Sequence, residues 1–177
     1  SEEHSDPDTQ ASIERTLAFL DEEIERLKAH GQAIIDQHAE LKAKQKRMQT
    51  IPGIGALSSM ILLSELVVLS KDMKAKHWAS HAGLAPRHHE SGTISKPARI
   101  TKAGNKHLRQ ALYMPALVAI EHQPHIKAWR DKLLKNNKTK LQANVAVMRK
   151  MLHAIWGMMN HQQDFDPEKL FPDIKII

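Results

Sequence analysis

The sequence contains no cysteine, which excludes disulfide staples and thiolate metal centres and is compatible with a reducing cytoplasm. Aromatic residues are scarce, at 4% of 177 residues. The three tryptophans, Trp78, Trp129 and Trp156, fall on apolar helix faces, where core packing is a plainer role than base stacking. No apolar run is long enough to span a bilayer and no leader-like segment is visible, so the reading is a soluble, cytoplasmic chain with no membrane partner. Carboxylates are sparse beyond residue 41: Glu65, Asp72, Glu90, Glu121, Asp131 and four in the tail. No cluster able to hold two Mg²⁺ ions can be assembled from them, so no cofactor is expected in this chain. The chain opens on Ser1 without methionine, and is expected to be part of something longer.

What is present is positive charge, unevenly placed. Residues 1–40 carry 11 acidic and 3 basic residues, a net of −8, and residues 41–177 carry 9 and 23, a net of +14. From Lys71 to Arg109 there are 9 basic residues against 2 acidic ones. A plain solvated surface is one reading. A polyanion partner, double-stranded DNA above all, is the one favoured here.

The apolar pattern predicts helices throughout. Residues 1–8 read as a disordered lead, with Asp6 or Asp8 capping a helix that begins near Pro7. One helix is then expected over 9–49, a coiled-coil stalk. Its seam, Ile13, Leu17, Leu20, Ile24, Leu27, Gly31, Ile34, His38, Leu41, Gln45 and Met48, alternates in steps of four and three. The alternative is an amphipathic helix folded onto its own domain. Self-association, as a homodimer or tetramer through Ile13, Leu17, Leu20, Ile24, Leu27, Ile34 and Leu41, is preferred. A compact helical domain is expected over 50–163, with helices at 56–69, 74–81, 104–121, 125–137 and 140–160. The segment 84–102 reads as an irregular loop in which Thr93-Ile94 and Arg99-Ile100 form a minimal hairpin, and 164–177 as a tail that packs back through Phe165, Leu170 and Phe171. The fold class is all-α, a long N-terminal coiled-coil helix and then a helical domain containing a helix-hairpin-helix-like element.

Three elements carry candidate chemistry. Ile51-Pro52-Gly53-Ile54-Gly55 breaks the chain between two helices. Gly53 and Gly55 permit a close backbone approach, and with Ile54 they lead into a helix whose free amides suit a phosphate. This is helix-hairpin-helix logic, and an ordinary Pro-Gly turn is its plain counterpart. Ser91, in Glu90-Ser91-Gly92, lies near His88, His89, Arg87, Lys96, Arg99 and Lys102. It has no Gly-x-Ser-x-Gly setting and no assignable acid–histidine pair. Cations there suit a serine that meets a phosphodiester, whereas the local residues alone read more simply as a turn cap. Gly104-Asn105-Lys106-His107-Leu108-Arg109 begins a helix that Asn105 can cap, with Lys106 and Arg109 three apart as a phosphate seat. His77 and His81 share a helix face, but no third fixed ligand accompanies them, so no metal site is assigned.

Residues 48–171 resemble the C-terminal transposase domain of the one-ten family of insertion sequences, the DEDD transposases. The resemblance rests on Ile51–Gly55, Gly83-Leu84-Ala85-Pro86, Glu90-Ser91-Gly92, the run Ile100–Leu112, and the helix Ala143–Met158 with Ile155-Trp156 near its end. The heptad helix before them is similar to the family's coiled coil. The resemblance implies a recombinase that acts on DNA as an oligomer in the bacterial cytoplasm, associated with the nucleoid. It implies guidance by an element-encoded bridge RNA and active sites built from two protomers. A RuvC-like domain would supply four carboxylates and Mg²⁺, and a serine, matched here by Ser91, would form a covalent link to DNA. The RuvC-like domain has no counterpart in these residues, so this chain alone is expected to bind and oligomerise and not to cut. The alternative is a non-catalytic helix-hairpin-helix module, dimerised by its coiled coil, that binds nucleic acid.

Overall fold

The computed structural model describes residues 6–70, 72–91, 94–100 and 103–176, with residues 87–99 described by backbone alone. Asp6 opens the first helix, α1 (Pro7–Gln37): its carboxylate accepts from the Thr9 amide at 3.3 Å, and Pro7 occupies the first turn. The expectation of one unbroken helix to Gln49 is corrected. His38 takes an extended backbone, φ −118° and ψ 103°, and a second helix, α2 (Ala39–Met48), starts after it. The break falls where the seam has already weakened through Gly31 and His38, so little apolar burial rewards continuation.

The chain divides into two units, one reaching Ala39 and one spanning Glu40–Ile177. In the first, Ile13, Leu17, Leu20, Ile24, Leu27 and Ile34 are all between 45% and 58% exposed, so the apolar seam of α1 is uncovered. Ion pairs Arg26–Glu23 and Lys28–Glu25, each three residues apart, decorate its polar face.

The second unit is a helical bundle. It comprises α2, α3 (Ala56–Leu66), α4 (Ala75–His81), α5 (Lys106–His122), α6 (Pro124–Lys135), α7 (Lys140–His161) and a short α8 (Pro167–Leu170). α5 is the hub, packing on α3, α6 and α7, while α4 packs on α7. Leu108, Leu112 and Ala116 of α5 recur at helical spacing, and with Val147, Met151, Leu152 and Ile155 of α7 and Leu62 of α3 they are fully or almost fully buried. Ile51 and Ile54, which flank the Pro-Gly turn, are buried as well and fix the α2–α3 hairpin to this core. The expected return of the tail is found at Phe171, which is buried 5.4 Å from the Trp129 ring, with Lys150 over both rings. The all-α class holds for the bundle.

The irregular loop expected over 84–102 is corrected. β1 (Pro86–Ser91) and β2 (Ile94–Ile100) form a two-stranded antiparallel ribbon. Its register pairs Pro86 with Ile100, Arg87 with Arg99, His89 with Lys96, Glu90 with Ser95 and Ser91 with Ile94. The expected pairing of Ile94 with the Arg99-Ile100 end is therefore replaced, and Thr93 lies outside the described residues. The register shifts between Arg87 and His89, leaving an extra residue on β2 in the stretch that holds Pro97. Proline cannot donate to a ladder, so a bulge on a two-stranded ribbon is a place it is tolerated.

Candidate nucleic-acid and serine site

Helix α3 separates two of the three candidate elements. Gly55 is the N-cap of α3, with extended backbone and no side-chain cap, and Gly55, Ala56 and Leu57 are exposed there. The first amides of α3 have no intrahelical acceptors. At the other end, Glu65 accepts a hydrogen bond from Asn105 Nδ2. The hairpin and the α5 cap therefore sit at opposite ends of α3, about 15 Å apart at 1.5 Å per residue. They are two separate places to meet a backbone.

The two hairpin glycines do different things. Gly53 has φ +92°, and a Cβ built on it would overlap the Pro115 carbonyl oxygen and stand 3.0 Å from Val118 Cβ. Its missing side chain lets the hairpin close onto α5. Gly55 has open space where a Cβ would be. Of the residues expected to approach a nucleic acid here, Gly55 is the one with room in front of it. Ile54 is 4% exposed and leaves only its backbone for a partner.

At the start of α5 the expected cap is present. Asn105 Oδ1 accepts from the amides of His107 at 2.9 Å and Leu108 at 3.1 Å. The Asn105 amide donates to the His81 carbonyl at 2.7 Å, so the turn after α4 and the turn before α5 are joined. Gly83, at φ +67°, and Gly104 make that junction tight, since a Cβ on Gly83 would stand 2.9 Å from the Gly104 amide. Arg109 completes it: Nη1 donates to the carbonyls of Ala82 at 2.9 Å and Gly104 at 3.0 Å. Lys106 is exposed and Arg109 is half-buried, so the two cations do not form one equivalent pair. The Glu65 bond to Asn105 and the role of the Ala82 carbonyl were not read from the sequence. Only Gly83-Leu84-Ala85-Pro86 hinted at the turn.

The ribbon is rooted on this junction. Pro86 follows Leu84, a buried residue, and Ile100 precedes Gly104 by four positions. Ser91 closes β1 at the far end, opposite Ile94. Five residues of strand separate it from the root, or about 17 Å along the ribbon. Arg87 and Arg99 face one another across the strands near the root, and Lys96 pairs with His89 midway. Lys102 lies outside the described residues. By backbone register, Arg87 and Arg99 are thus paired near the root and Lys96 lies midway along the ribbon.

Among the described residues no group of three or more His, Asp or Glu side chains is placed to hold an ion. His77 instead helps close the start of α4, its Nδ1 accepting from the Lys74 amide at 3.3 Å. The tryptophans are structural: Trp78 is buried, and Trp156 Nε1 donates to the Met73 carbonyl at 2.7 Å. No helix among the described residues is long and apolar enough to cross a membrane.

Residues 45–130, from α2 through the ribbon to α6, match the model described as the transposase IS116/IS110/IS902 family. Through these residues the chain belongs to the IS116/IS110/IS902 transposase family. It is 38% identical over 135 residues to the pilin gene-inverting protein of Moraxella bovis, covering 75% of this chain and 42% of that protein. It is 28% identical over 158 residues to the insertion element IS900 uncharacterized 42 kDa protein of Mycobacterium paratuberculosis, covering 89% and 39%. The insertion element IS110 uncharacterized 43.6 kDa protein of Streptomyces coelicolor is 25% identical over 148 residues, covering 84% and 36%. The chain spans about two fifths of the length of these relatives.

Proposed function

We propose that this chain is the DNA-binding and nucleophile-bearing part of a transposase or recombinase, with Ser91 forming a covalent phosphoserine link to DNA during strand exchange. The observation that carries the reading is the place of Ser91 at the outer end of a cation-bearing ribbon rooted on a helix start. A serine so placed can be presented to a strand held elsewhere.

In the proposed step the Ser91 oxygen attacks the phosphorus of a phosphodiester. The Oγ–P bond forms and the bond to one deoxyribose oxygen breaks. The proton lost by the serine balances the proton gained by the leaving hydroxyl. The ester keeps the bond energy for rejoining, so the ends can be resealed to a new partner without another energy source. Inversion of a gene, the act that names the Moraxella bovis relative, is a reaction that needs such cutting and rejoining. The Asn105, Lys106 and Arg109 region and the Gly55 end of α3 grip backbone away from the reacting phosphate. Charge at the reacting phosphate would then be stabilised partly from outside this chain. This agrees with active sites shared between protomers and with Mg²⁺ held by the family's RuvC-like domain. Among the described residues no group of three or more His, Asp or Glu side chains is placed to hold such an ion. Assembly as a homodimer or tetramer through the exposed α1 seam, and guidance by a bridge RNA, complete the proposal. Its setting would be the nucleoid in the cytoplasm.

A second reading is favoured by the uncapped, exposed start of α3 at Gly55. In it the α2–α3 pair is a non-catalytic helix-hairpin-helix grip on nucleic acid, dimerised by α1. Strand-exchange assays of Ser91→Ala in the protein joined to its RuvC-like domain separate the two. The first reading requires DNA binding to persist and exchange to vanish. Exchange at the parent rate would leave only the second.

A further inference from the structure

A second concentration of positive charge follows the ribbon in sequence, at the turn between α6 and α7. From Lys127 to Lys140 the chain carries six basic residues, Lys127, Arg130, Lys132, Lys135, Lys138 and Lys140, and one acid, Asp131. Asp131 stands 3.6 Å from Arg130, so that acid is spent locally. The five lysines are all exposed. The residues from Lys135 to Gln142, which form the turn between α6 and α7, are exposed without interruption.

Two of these lysines have a local purpose. Lys132 and Lys135 lie in the last turn of α6, where cations offset the negative end of the helix. The Lys138 amide closes the end of α6 on the Leu133 carbonyl at 3.2 Å, but the Lys138 and Lys140 side chains have no carboxylate partner among the described ion pairs. They flank the start of α7, a helix of 22 residues with no acid in its first turn, where the helix already presents its positive end. Like charge there is unfavourable. Lysines massed against the local field, on a turn exposed throughout, form a surface that an external polyanion would neutralise. The set also has a definite chemistry. It is made of lysines, with exposed Asn136 and Asn137 between them. It offers no free aromatic face, since Trp129 is occupied by Phe171 and Lys150. Such a surface meets phosphates and not unstacked bases.

We infer that the α6–α7 turn, through Lys132, Lys135, Lys138 and Lys140, is a DNA-backbone surface additional to the ribbon. The inference rests on the DNA-acting reading above. A protein that exchanges strands must hold more than one segment of duplex at once, and this turn supplies a grip that is independent of Ser91.

The test is the salt dependence of binding, measured with this chain and a labelled duplex. Each phosphate contact contributes about 0.9 to the slope of log affinity against log salt. Lys138→Gln with Lys140→Gln is expected to lower the slope by about 1.8 and to weaken binding. Lys169→Gln with Lys175→Gln removes the same formal charge from the tail and is expected to leave the slope unchanged. Equal effects from the two pairs would reduce the patch to net charge and overturn the inference, as would no effect from either. A fall in slope seen with duplex RNA and not with DNA would overturn the DNA assignment. If the parent chain does not bind duplex DNA at low salt, the DNA-acting reading itself fails. If the parent binds and the Lys138/Lys140 variant keeps its slope, this surface alone fails.

Discussion

Replacing Gly53 with alanine tests the division of labour within the hairpin. Gly53 has φ +92°, where an L-residue with a Cβ is strained by about 1–2 kcal/mol. The new methyl would also overlap the Pro115 carbonyl oxygen, with Val118 Cβ at 3.0 Å and the Ala119 amide nitrogen at 3.2 Å behind it. None of these is the free end of a flexible side chain, so α5 or the hairpin must move. Overpacking of this kind costs about 1–3 kcal/mol. Together the effects give roughly 2–5 kcal/mol, a large share of the ~5–15 kcal/mol that holds a typical domain. Urea unfolding followed by far-UV circular dichroism reads this directly. With a slope of about 1–3 kcal/mol per molar, the midpoint should fall by at least ~0.7 M. Gly55→Ala is the matched control: its backbone is extended and its Cβ would meet open space, so only the N-cap preference is lost, about 0.5–1 kcal/mol. DNA affinity should then fall in Gly55→Ala with the fold intact. A Gly53→Ala variant within 0.5 kcal/mol of the parent, taken as roughly the scatter of a neutral surface change, would refute the packing argument.

Other outcomes follow from the same geometry. Asn105→Ala removes two cap hydrogen bonds and the partner of Glu65, and should cost about 1–2 kcal/mol by thermal denaturation; an unchanged melting temperature would discount the cap. Burial, and then Arg149 and Lys150, hold His153 below its ordinary value of 6.5. The folded state therefore binds fewer protons than the unfolded one. The stability contributed here is full above about pH 6.5 and declines as pH falls below it. His153→Gln should flatten the loss of melting temperature between about pH 7.5 and 5, and an identical pH dependence would remove His153 from that role. Leu20→Asn with Leu27→Asn places polar groups in the exposed α1 seam and should lower the sedimentation mass at equal concentration. Unchanged mass would show that assembly does not use that seam.

Periodicity made the helices legible. Leu108, Leu112 and Ala116, and Val147, Met151 and Ile155, recur at helical spacing, and the folded core uses those faces. Punctuation made the hairpin and the Asn105 cap legible, since Pro52, Gly53 and Asn105 have local chemistry that acts within a few residues. Two things were not legible. The break at His38 depends on how little burial the later seam offers, a sum over neighbours and not a property of one residue. The ribbon is written in Arg-His-His-Glu-Ser and Ile-Ser-Lys-Pro-Ala-Arg-Ile, which show no alternating pattern. Its pairing follows from the junction of Gly83 with Gly104 and the bond from Asn105 to His81, contacts between segments that composition does not reveal. The distance between Ser91 and the α5 cap was hidden for the same reason.

The central claim is that Ser91 becomes bonded to DNA. The direct measurement is covalent trapping: the protein joined to its RuvC-like domain is incubated with Mg²⁺, its guide RNA and labelled donor and target duplexes, then denatured, and the DNA-linked peptide is identified by mass spectrometry. The account predicts a phosphodiester on the peptide containing Ser91, absent in Ser91→Ala. DNA cut without any adduct, or an adduct on another residue, would contradict it and leave this chain as a binding and assembly module.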